Sequence, residues 1–150
     1  MRPTTRVVGF DDLDTRLSYD LWRLRQQVFV VEQGSPYPDL DGRDLEPATR
    51  HVLLEEEGTL VGCLRLVDDG DAWRIGRVVV AAQARGRGLA RLLMDEAVAR
   101  CAGREVRLDA QTGLTAFYEA YGFEVSGPEF VEDGVAHVPM TRRTGGPRTD

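Results

Sequence analysis

Between Ala72 and Met94 the chain carries five arginines (Arg74, Arg77, Arg85, Arg87 and Arg91), two of them interleaved with Gly86 and Gly88, and no acid. The formal net charge is −6, so these five positive charges leave −11 on the rest of the molecule. A local arginine cluster in an acidic chain suits one small anionic ligand, not the broad face of a nucleic acid. Lysine and asparagine are absent. That excludes Schiff-base and P-loop lysine chemistry. It also leaves glutamine and the backbone as the sources of amide contacts.

The elements around this cluster follow from periodicity. Residues 6–10 read as a strand. Leu21, Leu24, Val28 and Val31 recur at helical spacing, which predicts a helix from an N-cap at Ser18 to about Glu32. Residues 51–57 and 59–67 flank Gly58 and read as a hairpin. Residues 72–80 are a third strand, whose closing Val78-Val79-Val80 run predicts burial on both faces. A helix follows, with Leu89, Leu92, Leu93, Ala97 and Val98 as its apolar stripe and Gly103 at its end. Residues 105–110 form a strand, 114–123 a short helix closed by Gly122, and the segments FEVSG and VAHVPMT a last hairpin around the turn EDG. The order predicts an α/β fold: a central mixed sheet flanked by helices, in one domain over 1–142, with a disordered tail at 143–150.

At the strand, glycine-rich turn and helix of 76–100, backbone N–H groups at the helix N-terminus lack partners and the helix dipole adds positive charge. Gly86 and Gly88 let the backbone approach a ligand closely. Arg85, Arg87 and Arg91 surround the same point, so the junction is built for a phosphate or pyrophosphate. It lacks GKS/T and GxGxxG, which disfavours a triphosphate P-loop and a dinucleotide fold.

ARGRGLARLLM resembles the acyl-CoA loop of the GNAT N-acetyltransferases, with Arg85, Gly88 and Ala90 on the pattern Gln/Arg-x-x-Gly-x-Gly/Ala. LTAFYEAYGF resembles that superfamily's tyrosine-bearing helix ending in Gly-Phe. RLRQQVFVVEQGSPYPDLDGRD and EDGVAHVPM are similar to the ElaA-like branch. The resemblance implies that Val78, Val79 and Val80 pair with the pantetheine arm of acetyl-CoA, that Arg85, Gly86, Arg87, Gly88, Leu89 and Ala90 hold the pyrophosphate, and that an N–H near Val78 polarises the thioester carbonyl. Tyr118 matches the general acid that protonates the leaving thiolate. Gln111 stands where relatives often carry asparagine. The segment after the first helix borders the acceptor site, which brings in Arg25, Phe29 and Tyr37.

That same segment is acidic. Residues 39–46 hold Asp39, Asp41, Asp44 and Glu46 against Arg43, and such a loop is expected to favour a cationic amine acceptor without joining the chemistry. A calcium loop fails on spacing: the glycine follows two aspartates, and Arg50 stands where the ligating glutamate would be. No metal is expected. Glu32 is the first candidate for general base, beside an ordered-water relay. By spacing alone Tyr118 also fits an apolar stripe with Leu114, Phe117 and Tyr121. His51 and His137 read as satisfied sheet histidines, with His137 keeping functional weight from its place in the ElaA-like segment and a histidine standing beside Glu32 and water as a base candidate.

Hydrophobic residues at 42% and charged residues at 29% are ordinary for a soluble globular chain. Cys63 and Cys101 fall in apolar segments as reduced thiols. With no long apolar run, the expected location is cytoplasmic, with no membrane or nucleic-acid partner and a homodimer allowed. Two rival functions share the fold or its ligand: an acyl-homoserine-lactone-synthase-like acyltransferase and a non-catalytic acyl-CoA-binding module.

Overall fold

The computed structural model describes residues 2–144; the expected tail lies mostly outside them. Its elements are β1 (Thr4–Val8), α1 (Thr15–Arg25), β2 (Arg50–Glu56), β3 (Thr59–Asp68), β4 (Ala72–Val80), α2 (Ala90–Arg100), β5 (Glu105–Gln111), α3 (Thr115–Glu119), β6 (Glu124–Val125), β7 (Phe130–Glu132) and β8 (Val135–Arg142). They form one mixed sheet in the order β1-β2-β3-β4-β5-β8-β6, with β7 paired to β8. Helix α1 through Leu21 and Leu24, and the turn after it through Val28, pack against Leu53, Cys63 and Val79 on one face. On the other face Leu93, Met94 and Ala97 of α2 and Tyr118 of α3 join Leu64, Ile75 and Leu108.

Helix α1 begins earlier than its hydrophobic spacing suggested. Asp14, not Ser18, is the N-cap, its carboxylate accepting from Leu17 N at 2.7 Å. The α-helix stops at Arg25, and Gln26–Glu32 continue as a π-helix. The wider winding moves Val31 off the apolar stripe, leaving it 66% exposed. In α2 the core positions are Leu93, Met94 and Ala97, while Leu92 faces outward. The last hairpin is β7–β8 around Asp133-Gly134; FEVSG instead supplies β6, which pairs the far end of β8 through Glu124↔Thr141.

Two irregularities of β4 open the sheet. Between Cys63↔Val79 and Arg65↔Gly76, three steps along β4 answer two along β3. The extra residue is a bulge centred on Arg77, whose φ of 54° is left-handed. Beyond it Val79 is buried, but Val78 and Val80 are only half-buried, not enclosed on both faces as expected. Strand β4 also pairs with parallel β5 for three residues only, Ala72↔Glu105 to Arg74↔Arg107. From there β4 and β5 are unpaired, while β5 keeps its six-pair antiparallel ladder with β8 on its other edge from Val106 to Gln111.

Candidate active site

The split between β4 and β5 opens into a cavity of about 740 Å³. Gly76, Val78, Val79 and Val80 of β4 and Leu108, Asp109 and Gln111 of β5 line its floor. Phe29, Gln33, Tyr37 and Asp41 form one wall; Glu132, Asp133, Val135 and His137 form the other. Ser35 joins the walls by donating its hydroxyl to Asp133 O at 2.5 Å. Arg85 and Tyr118 also line the cavity. A second cavity, about 570 Å³, lies beside Arg50, Trp73 and Arg100 and shares none of these residues.

At the end of β4 the chain makes the glycine-rich turn. Gly86 and Gly88 have φ of 78° and 71°, and a Cβ at either would meet open space, so the turn is shaped by backbone and leaves room above it. Helix α2 then starts with no side-chain cap on its first N–H groups. Arg91 N and Leu92 N already donate to Gly88 O and Leu89 O, so the donors free of protein partners among the described residues are those of the turn before them; with the helix dipole and the open volume they fit an anionic group such as the pyrophosphate of a coenzyme A thioester. The two flanking arginines are held by carboxylates: Arg85 donates to both oxygens of Glu32, at 2.5 and 2.9 Å, and Arg87 donates to Glu56.

Tyr118 lies in the α3 segment with its ring edge-on to Phe117 at 5.1 Å and to Phe123 at 6.2 Å. It therefore belongs to the aromatic cluster of α3 and also lines the cavity. Burial pushes its phenol up to about 12, so the hydroxyl keeps its proton at neutral pH. It makes no hydrogen bond to protein among the described residues. Gln111 closes β5 directly opposite His137 of β8.

The acidic segment after α1 is arranged differently from its expected role. Arg25 is 1% exposed and donates to Asp39 Oδ2 at 2.9 Å and Asp44 Oδ1 at 2.7 Å. Arg65 of β3 forks onto both oxygens of Asp41, at 2.8 and 2.6 Å, and reaches Asp44 at 3.2 Å. Arg77 on the bulge donates to Asp39 O at 3.0 Å, and its Nε stands 2.8 Å from Asp39 Oδ1 but off the N–H line. Three arginines thus neutralise three aspartates. Asp39 and Asp44 are buried, and Arg25, expected at the acceptor, is not among the residues lining the cavity but is buried in this ion-pair scaffold. Burial would raise Asp44, but Arg25 and Arg65 outweigh it and hold its carboxyl below the usual range. Arg65, burial opposing it, holds Asp41 lower still. Tyr37 points inward, its hydroxyl donating to Asp39 Oδ1 at 2.7 Å, while its ring carries the Arg77 guanidinium at 5.5 Å.

Glu32 does not fit the base role expected of it. It is not among the residues that line the cavity, and its exposed carboxylate turns to Arg85. His51 is buried beside Trp22 with Nε2 3.4 Å from Asp44 O, as a satisfied sheet histidine should be. His137 lines the cavity instead. Sequence reasoning missed the scaffold role of Arg65; the signal was a lone charge inside the apolar strand LVGCLRLV, where burial demands an ionic partner. Cys63 and Cys101 are buried free thiols, raised to about 12 and about 11 by desolvation.

A bulged β4 splayed from β5, a glycine turn entering α2 and a cleft between the two strands are features of the acyl-CoA N-acyltransferase fold. The model of the Acetyltransferase (GNAT) domain matches residues 23–144, and the chain belongs to that family. It is 46% identical to a UPF0039 protein of Mycobacterium tuberculosis over 97% of both chains. It is 37% identical to the protein ElaA of Escherichia coli, over 87% of this chain and 90% of that one. The crystal structure of an acyl-CoA N-acyltransferase from Pseudomonas aeruginosa superposes with a TM-score of 0.90 at 36% identity, covering 94% of this chain and 99% of that one. The AHL synthase LasI, at 18% identity over 99% and 98% of the two chains and a TM-score of 0.75, shares the fold alone. Among the described residues no helix is long and apolar enough to cross a membrane, and no cluster of three His, Cys, Asp or Glu is placed to hold a metal ion.

Proposed function

We propose that the protein transfers an acetyl group from acetyl-CoA to a primary amine by direct attack, with Tyr118 as general acid. The observation that carries this reading is the β4–β5 split, which brings the unpaired Val78–Val80 edge facing β5, the cavity and the Tyr118 side chain together before the glycine turn. In this reading the backbone of Val78, Val79 and Val80 meets the pantetheine arm, and the segment from Arg85 through Leu89 to Ala90 takes the pyrophosphate. Tyr118, neutral through burial, gives its proton to the departing thiolate.

The acceptor enters between the two walls, where Phe29 and Tyr37 face Val135 and His137. With the loop aspartates neutralised by arginine, an ammonium would be met by Glu132 and Asp133 of the opposite wall, which form no salt bridge among the described residues. Acetyl-CoA turnover measured over a panel of primary amines tests the reading. Thiol release that depends on an amine supports it; binding of acetyl-CoA with no turnover in any condition supports an acyl-CoA-binding module instead.

A further inference from the structure

His137 stands on β8 in the cavity, and its hydrogen bond fixes which ring nitrogen is free. Nδ1 lies 2.8 Å from Val135 O. A carbonyl oxygen only accepts, so Nδ1 carries the proton and donates, and in the neutral ring Nε2 holds the lone pair. Nε2 takes no hydrogen bond among the described residues. The ring plane is fixed as well: Phe130 of β7 stacks on it at 5.8 Å with 22° between the planes, and Phe130↔His137 are cross-strand partners. Across the other ladder Gln111 is opposite His137, on the strand that diverges from β4. The second histidine shows the contrast. His51 has its Nε2 turned to a backbone carbonyl and is 1% exposed.

From this geometry we infer that His137 is the general base that takes the acceptor's proton through Nε2; the inference rests on the acetyltransferase reading above. The imidazole is held in one tautomer by Val135 O and in one plane by Phe130; its basic nitrogen has no partner among the described residues, and the residue lines the same cavity as Tyr118. The step balances without any further reagent. The acceptor first gives its ammonium proton to solvent; the neutral amine nitrogen then bonds to the acetyl carbon and loses a second proton to Nε2, the C–S bond breaks, and the thiolate takes the Tyr118 proton. The imidazolium then returns its proton to the phenolate through solvent. Glu32, bound by Arg85, is relieved of the role.

Two measurements decide it. In the full chain labelled with ¹⁵N, long-range ¹H–¹⁵N correlation at about pH 8, where imidazole is neutral, should show the proton on Nδ1 of His137, with His137→Gln used to separate its signals from those of His51. A proton on Nε2 overturns the assignment. In the second, thiol release from acetyl-CoA is followed with tyramine, with spermidine and with no amine, where water is the acceptor and needs the same base. His137→Gln should lower kcat on the order of 10²-fold with acetyl-CoA affinity unchanged, and free imidazole should restore part of the rate to His137→Ala. An undiminished kcat in His137→Gln rules the base role out while leaving the acetyltransferase reading standing. Failure of the wild-type chain to bind acetyl-CoA removes both.

Discussion

Arg25 Nη1 donates to Asp44 Oδ1 at 2.7 Å inside the protein, tying the last turn of α1 to the loop 19 residues further on. Through Asp39, Asp41 and Asp44 the same network reaches Arg65 on β3 and Arg77 on the β4 bulge. The acidic loop is therefore an internal ionic clamp. It fixes one wall of the cavity and the bulge of its floor at the same time.

Arg25→Leu would leave Asp39 and Asp44 buried with one cationic partner fewer. Breaking a buried pair from one side should cost ~3–5 kcal/mol, read as a lower midpoint in urea. Asparagine at Asp39, Asp41 and Asp44 together should likewise destabilise the chain and lower activity through the fold. A triple variant with wild-type stability would show that the clamp does not hold the wall.

Acid should loosen the protein in two stages. His51 is held below its ordinary value, mainly by burial, so the unfolded chain binds a proton first and stability falls as pH drops below about 6.5. Asp41 and Asp44 have depressed folded values. Their contribution is complete above the unfolded carboxylate value of about 4 and disappears as pH falls through the folded ones. Urea midpoints from pH 7 to pH 3 should show both declines, the first absent in His51→Gln. A flat profile between pH 7 and pH 5 would contradict the burial of a neutral His51.

Much of this frame was legible in the chain. Alternation and the glycine turns placed β2 to β5 within a residue or two, since each strand has a buried face and a short turn. The glycine-arginine turn before α2 was visible because backbone conformation demands glycine there. The π-helical stretch was not, because Val28 and Val31 fit α spacing equally well and only tertiary packing turns Val31 outward. The loop aspartates were misjudged for a similar reason. Sequence shows their density but not the three arginines, 14 to 38 residues away, that neutralise them. β7 was missed because three residues bounded by glycine and proline carry too little periodicity.

Gly88→Asp should abolish binding of CoA. The position has φ of 71° and open space where a Cβ would stand, so the added carboxylate would project into the room left for the pyrophosphate. Gly88→Ala separates strain from charge, since a left-handed alanine costs only about 1–2 kcal/mol. Calorimetry should find binding lost in the aspartate variant and weakened in the alanine one, with far-UV circular dichroism unchanged. Equal affinities for CoA in wild type and Gly88→Asp would place the coenzyme elsewhere.

Glu32→Gln should strengthen CoA binding. Arg85 is bonded to both oxygens of Glu32, so a pyrophosphate arriving at the turn competes with that carboxylate for the guanidinium. Both groups are exposed and the pair is screened by salt, so the gain should be severalfold and shrink at high ionic strength. Turnover should persist in the variant. A collapse of kcat with affinity intact would return Glu32 to the chemistry.

Tyr118→Phe separates the two roles of this side chain. Phenylalanine keeps the edge-on contacts with Phe117 and Phe123 and removes only the hydroxyl, which has no protein partner among the described residues. Stability should therefore be unchanged or slightly increased, because no buried hydrogen bond is broken. Loss of a general acid should lower kcat on the order of 10²-fold while acetyl-CoA affinity stays the same, since the phenol is needed only as the C–S bond breaks. The acyl donor gives an independent check. A thioester with a more acidic thiol needs less help from an acid, so the deficit of Tyr118→Phe should narrow with an activated thioester such as acetyl-thionitrobenzoate. If the variant keeps the wild-type kcat with acetyl-CoA, Tyr118 is packing alone, and the thiolate leaves protonated by water.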